Sequence, residues 1–543
     1  MKKLNTPSSS HSKGGFITRR FHKIDSLFLG VSFLMLSALV SCSNDGPQPK
    51  GELPAEVKSE GIFLSLDINF PETRSSRSET NTGGNTGADL PASLNENVIN
   101  SVNLYFFENK PEEAGTLLLE LAFADNNDKP TKDDTRDNVY KLVKEISLDD
   151  LKSVFGKDVN IYAIANHTPT TSFSSTTTEK VFLNDKFTQT DLGIDYLQAY
   201  SGNGMVCPMA SYDKFNVDLS DYPVPQNAQL GDIYSVAHNL FEIIGNAIYW
   251  EVKSGGSNTI SLERMVARVD YKDGSKESGK NNIYKLSGHT SSIPGCDTDD
   301  GAVYLKVGKM QLFNVGKEAY NFRHTAAGAD DAAGTTVSAF GVERGNGPGY
   351  NWIADSDWST KNLLNKLTGV TGWPSFTTGG TTADALTGSD KNNYHAWNYL
   401  MENTVSSKDD MSDAACTGIL FQVQLCNKNG SLYTSTSGGE QRITRTSDNY
   451  FKKLNKDSEG HYYLIYKYLI PHNVGLTSSS VNGESGKETN LNPMHYGVVR
   501  NNVYQLELTD INGLPNPDKP EEVSLTLNVK VKPWEYEKYE TNW

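Results

Sequence analysis

The fold of this chain is decided by nine residues, Ile62-Phe63-Leu64-Ser65-Leu66-Asp67-Ile68-Asn69-Phe70. Apolar side chains stand at every second position of this stretch, namely Ile62, Leu64, Leu66, Ile68 and Phe70. A period of two is typical of a β-strand with one buried face. Pro71 ends the strand, because proline cannot donate a hydrogen bond to a sheet ladder. At roughly 3.3 Å per residue, the predicted strand is about 30 Å long.

The segment after this strand has a different composition. Residues 71–91, PETRSSRSETNTGGNTGADLP, are rich in Ser, Thr, Gly and Asn, and they include Arg74 and Arg77. This composition predicts a flexible and exposed loop. A lone strand followed by such a loop is a poor start for a compact domain unless the loop has a purpose. We predict that a protease cuts the chain after Arg74 or Arg77.

A second segment near the other end of the sequence repeats the pattern of the first. Val523–Val531, VSLTLNVKV, has nine residues with five alternating apolar positions: Val523, Leu525, Leu527, Val529 and Val531. Two segments of equal length and pattern can fill the same groove. We therefore predict that cleavage releases strand 62–70 and that strand 523–531 of another subunit replaces it, which is β-strand addition. The alternative is that both are ordinary strands of their own domains.

The energetics suit such an exchange. Burying five apolar side chains contributes about 8–15 kcal/mol as a gross upper bound. An empty groove would be an aggregation-prone sheet edge. The intact N-terminal strand would therefore act as a lock against premature assembly.

Most of the remaining sequence also reads as strands separated by polar loops. Helical signals are few, and the best are Ser359–Leu367 and His395–Met401. The pattern predicts an all-β fold of two β-sandwiches with long decorated loops and few short helices, divided near residues 270–300. The predicted strands are Val98–Phe107, Thr116–Ala124, Val139–Ile146, Val159–Ala165, Val303–Phe313, Ile419–Cys426, Tyr462–Ile470 and Val498–Leu508. Ile260–Tyr271 is a further apolar segment.

The start of the sequence is typical of an exported protein. Residues 1–41 contain six Lys or Arg and one acidic residue, Asp25. The uncharged stretch Leu27–Val40 is too short to cross a bilayer comfortably and fits the apolar part of a secretory signal. It leads into Leu39-Val40-Ser41-Cys42, which is similar to a bacterial lipobox. This motif predicts that the sulfur of Cys42 carries a diacylglycerol, and the polar residues 43–58 then form a tether.

Length, charge and cysteine content narrow the choice of function. A chain of 543 residues is long enough for two or more domains. The net charge of −16 argues against a nucleic-acid partner, which needs a basic face. The spacing of the four remaining cysteines matches no zinc site, so we interpret them as small buried residues. A hairpin disulfide between Cys416 and Cys426 is the alternative. These four are Cys207, Cys296, Cys416 and Cys426.

No motif recommends an enzyme. Gly274–Lys280 has the spacing of a phosphate-binding loop, but Asn281 follows where Ser or Thr is needed, and no helix pattern opens there. The acidic stretches Asp297–Gly301 and Asp125–Asp137 lack the glutamate that completes a calcium-binding EF-hand. The sequence contains neither HExxH nor GxSxG. We therefore expect no catalytic residue, no metal site and no cofactor.

Four motifs along the chain occur in a definite order. One is the lipobox ending at Cys42, with a strand and an arginine-containing loop behind it. The others are Ile161–Asn166 (IYAIAN), Glu263–Val269 (ERMVARV), and Tyr496–Tyr504 (YGVVRNNVY) with a last strand before Pro533-Trp534. In order and context, these motifs resemble the Bacteroidales fimbrillins of the FimA and minor-fimbrium major-subunit type, and the shaft subunit of the minor fimbrium most.

The resemblance implies a fold, a life cycle and partners. It implies two transthyretin-like β-sandwich domains, at residues 78–275 and 276–543, behind a signal peptide at 1–41 and a propeptide at 42–77. It implies a lipoprotein, lipidated and palmitate-bearing at Cys42, that reaches the outer membrane. An Arg-specific protease then trims it after Arg74 or Arg77, and donor-strand exchange polymerises it into a cell-surface fimbrium. The implied partners are other copies of the chain, accessory anchor and tip subunits, and host or bacterial receptors in adhesion, biofilm formation and virulence.

Two alternatives to the structural pilin stay open. One is a surface lipoprotein that remains anchored and binds a glycan or a host protein, with Trp352, Trp358 and Trp373 as candidate sugar-stacking residues. The other is an accessory tip or anchor subunit of the same fimbrium. The arginine loop and the C-terminal strand favour the shaft subunit, because an anchored binding protein needs neither.

Overall fold

A computed structural model gives the structure of most of the chain between residues 61 and 533. The described residues are 61–533 apart from 71–93, 125–127, 137, 198, 200–203, 277–279, 297–300, 328–335, 341–350, 357–359, 367–380, 384–390, 406–411, 413, 435–438, 473–494 and 516–523. Within these ranges β-strands dominate, and the helices are short. The prediction of an all-β fold with few short helices is confirmed.

The strands of the first half belong mainly to one sheet system. Its members are β1 Ile62–Asn69, β2 Val102–Glu108, β3 Leu117–Phe123, β4 Thr131–Lys132, β5 Val139–Ile146, β6 Asp158–Ala165, β7 Lys186–Thr188, β8 Met209–Ser211, β9 Phe215–Asp218, β10 Phe241–Ile244, β11 Ala247–Glu251 and β12 Thr259–Arg264. All of them except β7 form an 11-stranded sheet whose main path runs β10-β11-β1-β12-β8-β6-β2-β3. Strand β7 pairs instead with the later strand Glu318–Tyr320.

The strands of the second half form several smaller sheets. They are β13 Ala267–Asp273, β14 Ile283–Leu286, β15 His289–Ser291, β16 Val303–Phe313, β17 Val315–Gly316, β18 Glu318–Tyr320, β19 His324–Ala327, β20 Thr336–Ala339, β21 Asn351–Ile353, β22 Leu363–Leu364, β23 Thr381–Thr382, β24 His395–Leu400, β25 Gly418–Cys426, β26 Arg442–Arg445, β27 Phe451–Lys453, β28 Asn455–Lys456, β29 Tyr462–Leu469, β30 Asn502–Ile511 and β31 Leu525–Pro533. The largest of these sheets has the order β14-β16-β25-β29-β28, with β23 beside β16. A 4-stranded sheet has the order β24-β13-β30-β31.

The helices fill connections between strands. They are α1 Leu148–Val154, α2 Glu179–Leu183 and α3 Leu230–Ala237, with 3-10 turns at Leu94–Asn97, Pro111–Glu113 and His238–Leu240. Helix α1 begins at a capping box in which Ser147 and Asp150 satisfy each other's backbone N–H groups. Helix α2 begins at Thr178, whose hydroxyl accepts a hydrogen bond from the N–H of Val181.

Strand β12 carries the first-half sheet from one layer to the other. Its residues Thr259–Ser261 pair with β1, whereas Leu262–Arg264 pair with β8. Aromatic side chains pack between the two layers. The ring centroid of Trp250 in β11 lies 6.4 Å from that of Phe106 in β2 and 5.4 Å from that of Phe155. Trp250 and Phe106 are fully buried. The core of this half therefore lies between the layer containing β1 and the layer containing β2.

Two predicted helices need correction. The segment predicted as the helix His395–Met401 is strand β24, because pairing with β13 and burial of Trp397–Leu400 override a weak helical pattern. In the predicted helix Ser359–Leu367, the described residues Leu363–Leu364 form β22, paired with β17. The apolar segment Ile260–Tyr271 contains two strands, β12 and β13, which belong to different sheets.

The cysteines agree with the simpler interpretation. Cys207, Cys296, Cys416 and Cys426 are all buried and none of these four forms a disulfide, so the alternative of a Cys416–Cys426 disulfide is wrong for this structure. Cys416 packs with Val405 and Tyr496, whereas Cys426 packs with Ile283 and Tyr304. The division into domains 78–275 and 276–543 stays a prediction.

Candidate functional site

Strand β1 is held on both of its edges. It runs antiparallel to β5 along its whole length, from Ile62 opposite Ile146 to Asn69 opposite Val139. On the other edge its first half runs parallel to β11 and its second half runs parallel to β12. Removing β1 would therefore leave a slot with two unpaired walls, β5 on one side and β11 with β12 on the other.

The apolar face of β1 is buried in the core along its whole length. Ile62, Leu64, Leu66, Ile68 and Phe70 are each at most 6% exposed, and the three central ones are 0% exposed. Burial of this kind comes directly from the period-two pattern. The structure thus places all five residues predicted for the displaced strand side by side in one groove.

The opposite face of β1 is polar and carries a charged centre. Asp67, 4% exposed, accepts a hydrogen bond of 2.5 Å from Nη2 of Arg136. Arg136 also bonds to Asp133, through Nε at 3.1 Å and Nη2 at 2.7 Å. Lys141, directly opposite Asp67 on β5, lies 3.3 Å from the same Asp133 carboxylate. The loop between β4 and β5 thus brings one cation, Arg136, to Asp67, and strand β5 brings a second, Lys141.

The pKa values of this cluster follow from its hydrogen bonds. Bonds from Thr135 and then from Arg136 hold the pKa of Asp133 well below its usual range, despite an opposing effect of burial. The bonds to Asp133 and Asp67 raise the pKa of Arg136. Arg136 is therefore charged at any physiological pH, and its guanidinium lies beside Asp67 of β1.

The C-terminal strand has a much looser setting. Among the described residues, strand β31 occupies the outer edge of its 4-stranded sheet and pairs antiparallel with one strand, β30. Leu525 and Val531 are buried, but Leu527 and Val529 are only half-buried. Leu525–Val531 of the predicted donor strand are thus present as a strand, which continues to Pro533. Val523 lies outside the described residues.

The structure does not bring the two matched segments together. Strand β1 is an inner strand of the 11-stranded sheet, whereas β31 is an edge strand of another sheet. Cys42, Arg74 and Arg77 lie outside the described residues, as do Trp358 and Trp373, while Trp352 lies in strand β21.

The arginines of the ERMVARV and YGVVRNNVY motifs are buried and paired, a role that the sequence reading did not assign. Arg268 bonds to Asp270 through Nε at 2.8 Å and to Glu96 through Nη1 at 2.6 Å. Arg264 donates to Asn97, which belongs to the same 3-10 turn as Glu96. Arg500 bonds to Glu402 through Nη2 at 2.7 Å and to the Asn321 carbonyl at 3.1 Å. These hydrogen bonds and ion pairs join distant parts of the chain in the interior of the fold. One indication of this role is visible in the sequence, since each of these arginines has an apolar neighbour.

Breaking one of these buried pairs should cost much of the stability. Replacing Glu402 with alanine leaves the Arg500 guanidinium, 1% exposed, without its carboxylate. We expect the free energy of unfolding to fall by about 3–5 kcal/mol, as for other buried pairs with one partner removed. Urea unfolding measures the change. The matched control is Glu459→Ala, because the Glu459 side chain is 77% exposed and its loss should change the stability by less than about 0.5 kcal/mol.

Two buried histidines should make the fold sensitive to acid. Burial lowers the pKa of His472 from 6.5 to about 4, and it does the same for His324. Between these values the unfolded chain binds protons that the folded chain does not, so stability is present above pH 6.5 and is lost as the pH falls toward 4. We expect a loss of about 3 kcal/mol per histidine. Urea midpoints across this range measure it, and His472→Asn should flatten the profile; an unchanged profile would contradict the assignment.

The described residues also bear on two other types of site. Within those ranges, no group of three or more His, Cys, Asp or Glu side chains is arranged to hold a metal ion. No helix in the described part of the chain is long and apolar enough to span a membrane.

Comparison with known proteins identifies the C-terminal part. A family model described as the C-terminal part of fimbrillin, the type IV major fimbrial subunit protein, matches residues 458–540. This segment contains β29, β30 and β31, and therefore the predicted donor strand. The resemblance to fimbrillins predicted from the sequence is confirmed for this segment.

The solved structures to which this chain is similar are distant in sequence. A fimbrilin (FimA) from Porphyromonas gingivalis W83 is 15% identical, with 88% of this chain and 99% of that chain covered and a TM-score of 0.38. The tip fimbrial protein Mfa3 from Porphyromonas gingivalis is 11% identical, covering 88% and 100%, with a TM-score of 0.36. A cell adhesion protein from Parabacteroides distasonis is 14% identical, covering 87% and 97%, with a TM-score of 0.38. No curated protein matches the chain.

Proposed function

We propose that this protein is a pilin that polymerises into a fimbrial shaft by protease-triggered donor-strand exchange. It is exported as a lipoprotein acylated at Cys42, cut after Arg74 or Arg77, and joined to other copies through strand 523–531. The polymer then serves adhesion and biofilm formation at the cell surface. Its partners are other copies of the chain, an Arg-specific protease, accessory anchor and tip subunits, and surface receptors.

One observation carries this proposal: the strand that would leave and the strand that would replace it differ sharply in how they are held. Strand β1 is paired on both edges and buried along one whole face. Strand β31 is paired on one edge and half-exposed in its middle. A strand paired on one edge can move at lower cost than a doubly paired inner strand, which leaves only when the chain behind it is cut.

The groove left by β1 suits a strand of the donor's pattern. Its apolar wall previously held five side chains, and the donor segment presents five apolar side chains at the same spacing. Main-chain hydrogen bonds to both walls would add affinity, as in other cases of strand addition. The exchange also removes the exposed edges that cleavage would create.

The proposal is tested by cutting the purified precursor. An Arg-specific protease should release strand 62–70 with the N-terminal peptide, and size-exclusion chromatography with light scattering should then show a ladder of oligomers. Uncut precursor should stay monomeric under the same conditions. Release of the strand with no oligomers formed would contradict donor-strand exchange.

A further inference from the structure

In the groove that holds β1, one position on the polar side is lined by charged side chains. There Arg136 meets Asp67 at 2.5 Å, with Lys141 opposite on β5 and Asp133 behind both cations. The other polar-face positions have different neighbours: Ser65 lies between Val143 and Glu251, and Phe63 stacks on Tyr249 with ring centroids 5.3 Å apart. The groove can therefore distinguish one end of an incoming strand from the other.

The two matched segments can be compared position by position. If residue 523 takes the place of residue 62 and the chains run in the same direction, Leu527 takes the place of Leu66 and Asn528 the place of Asp67. The amide oxygen of Asn528 can accept a hydrogen bond from Arg136 where the carboxylate of Asp67 did. Thr526 would replace Ser65, another small hydroxyl side chain.

We propose that Arg136 recognises the side chain at this position, Asp67 before cleavage and Asn528 of a second copy after exchange, and thereby fixes the direction and register of the donor strand. This inference rests on the proposed function and adds its specificity-determining residue. The precursor strand offers a carboxylate, which makes a stronger charge-assisted bond than an amide does. The groove therefore prefers its own strand until the chain is cut.

The same direction of entry follows from the walls of the groove. Strand β5 is set for an antiparallel neighbour, and β11 and β12 are set for a parallel one. These ladders space their hydrogen bonds differently, in alternating perpendicular pairs or in an even slanted series. A donor that runs in the direction of β1 finds both patterns already formed, whereas a reversed donor meets the wrong pattern on each wall.

Charged side chains on the donor strand make the neighbouring registers of that strand in the groove unfavourable. A shift by one residue turns the apolar side chains to the wrong face. A shift by two residues one way puts Lys530 beside Arg136 and Lys141, which is a contact between like charges. A shift by two the other way puts Glu521 where Ile62, 6% exposed, was buried. Of these registers, only the one with Asn528 at Arg136 avoids both costs.

The test compares two lysine substitutions on the polar face of the donor. In Asn528→Lys the new cation faces Arg136, and we expect the yield of polymer from cleaved precursor to fall at least about tenfold, because like charges brought together at an interface cost several kcal/mol. In Thr526→Lys the cation faces Glu251 instead, and the yield should stay within about twofold of the unsubstituted chain. Size-exclusion chromatography with light scattering measures the yields.

The Asn528→Lys variant should fold normally, because the surroundings of residue 528 in its own subunit can accept a lysine. The Asn528 amide lies exposed on β31, 3.1 Å from the Glu507 carboxylate, which a lysine can pair with. Adding Arg136→Gln to Asn528→Lys removes the repulsion from Arg136 and keeps a hydrogen-bond donor toward Asp133, while the remaining cation, Lys141, stays paired with Asp133. We expect this double variant to recover polymer to within about threefold of the unsubstituted chain, which a merely misfolded donor would not do.

The outcomes separate this inference from the proposed function. Polymerisation of Asn528→Lys at the unsubstituted yield overturns the role of Arg136 while leaving strand exchange intact. A block by Thr526→Lys with no effect of Asn528→Lys means that the donor enters in the opposite direction, and this also overturns the inference. If the cleaved, unsubstituted chain forms no polymer, the proposed function itself fails.

Discussion

Replacing both Arg74 and Arg77 with alanine should leave a monomeric, lipid-bearing precursor and abolish the fibres. Strand β1 is firmly bound in the sheet, because it pairs with β5 on one edge and with β11 and β12 on the other. Its apolar face adds about 8–15 kcal/mol of gross burial. Such a strand will not leave an intact chain at a useful rate, so without a cut the groove stays filled. Electron microscopy of cells and mass analysis of the membrane-bound protein measure the result.

The matched control for this variant replaces both arginines with lysine. The charge of the loop is then preserved, but an Arg-specific protease no longer cuts it. These cells should also lack fibres, whereas trypsin, which cuts after lysine, should convert the purified lysine precursor to polymer. Single alanine variants then show whether the cut follows Arg74 or Arg77. Normal fibres from the double alanine variant would contradict the processing step.

The second large effect is expected from aspartate at Leu527. This residue is the middle one of the nine in Val523–Val531, as Leu66 is in Ile62–Phe70, so Leu527 would replace Leu66 whichever way the donor enters. Leu66 is 0% exposed. Burying a carboxylate there costs several kcal/mol, so polymer formation should fall by at least about a hundredfold. Light scattering of the cleaved precursor measures the loss.

The subunit itself should tolerate this change. Leu527 is only half-buried on an edge strand in its own subunit, so the free energy of unfolding should fall by about 1 kcal/mol. The matched control is Val181→Asp on helix α2, which changes a valine that is 58% exposed and should leave polymerisation unaffected. If Leu527→Asp polymerises as well as the control, the donor strand lies elsewhere in the chain.

Local sequence patterns were enough to predict much of the fold. Val139–Ile146 and Val303–Phe313 were predicted with the bounds that the structure gives, because each combines β-branched and aromatic residues with a clear end. The strand at Ile62–Asn69 and its buried face were predicted for the same reason. In these segments, period and composition favour the same element, and the tertiary environment adds to that preference.

The failures came where a partner strand decided the outcome. His395–Leu400 has a weak helical pattern, but pairing with β13 makes it a strand. The apolar run Ile260–Tyr271 hides a change of sheet at Met265-Val266, since nothing in the composition separates β12 from β13. Pairings between residues far apart in the chain leave little trace in a single sequence.

The candidate site shows the same limit. The apolar residues of β1 followed from periodicity, but the pairing of Asp67 with Arg136 joins residues that are 69 positions apart. Asp67 looked like any polar residue on the outer face of a strand. Its burial became visible only once β5 and the loop before it were in place. The sequence could therefore predict which strand occupies the groove but not what marks the middle of that groove.

The measurement that tests the central claim most directly is the N-terminal sequence of the protein sheared from the cell surface. Donor-strand exchange after an arginine cut predicts a start at Ser75 or Ser78, with the lipid and strand 62–70 both absent. A chain that begins at an acylated Cys42 would contradict the proposal, because strand β1 would then still fill the groove and the protein would be a permanently anchored lipoprotein.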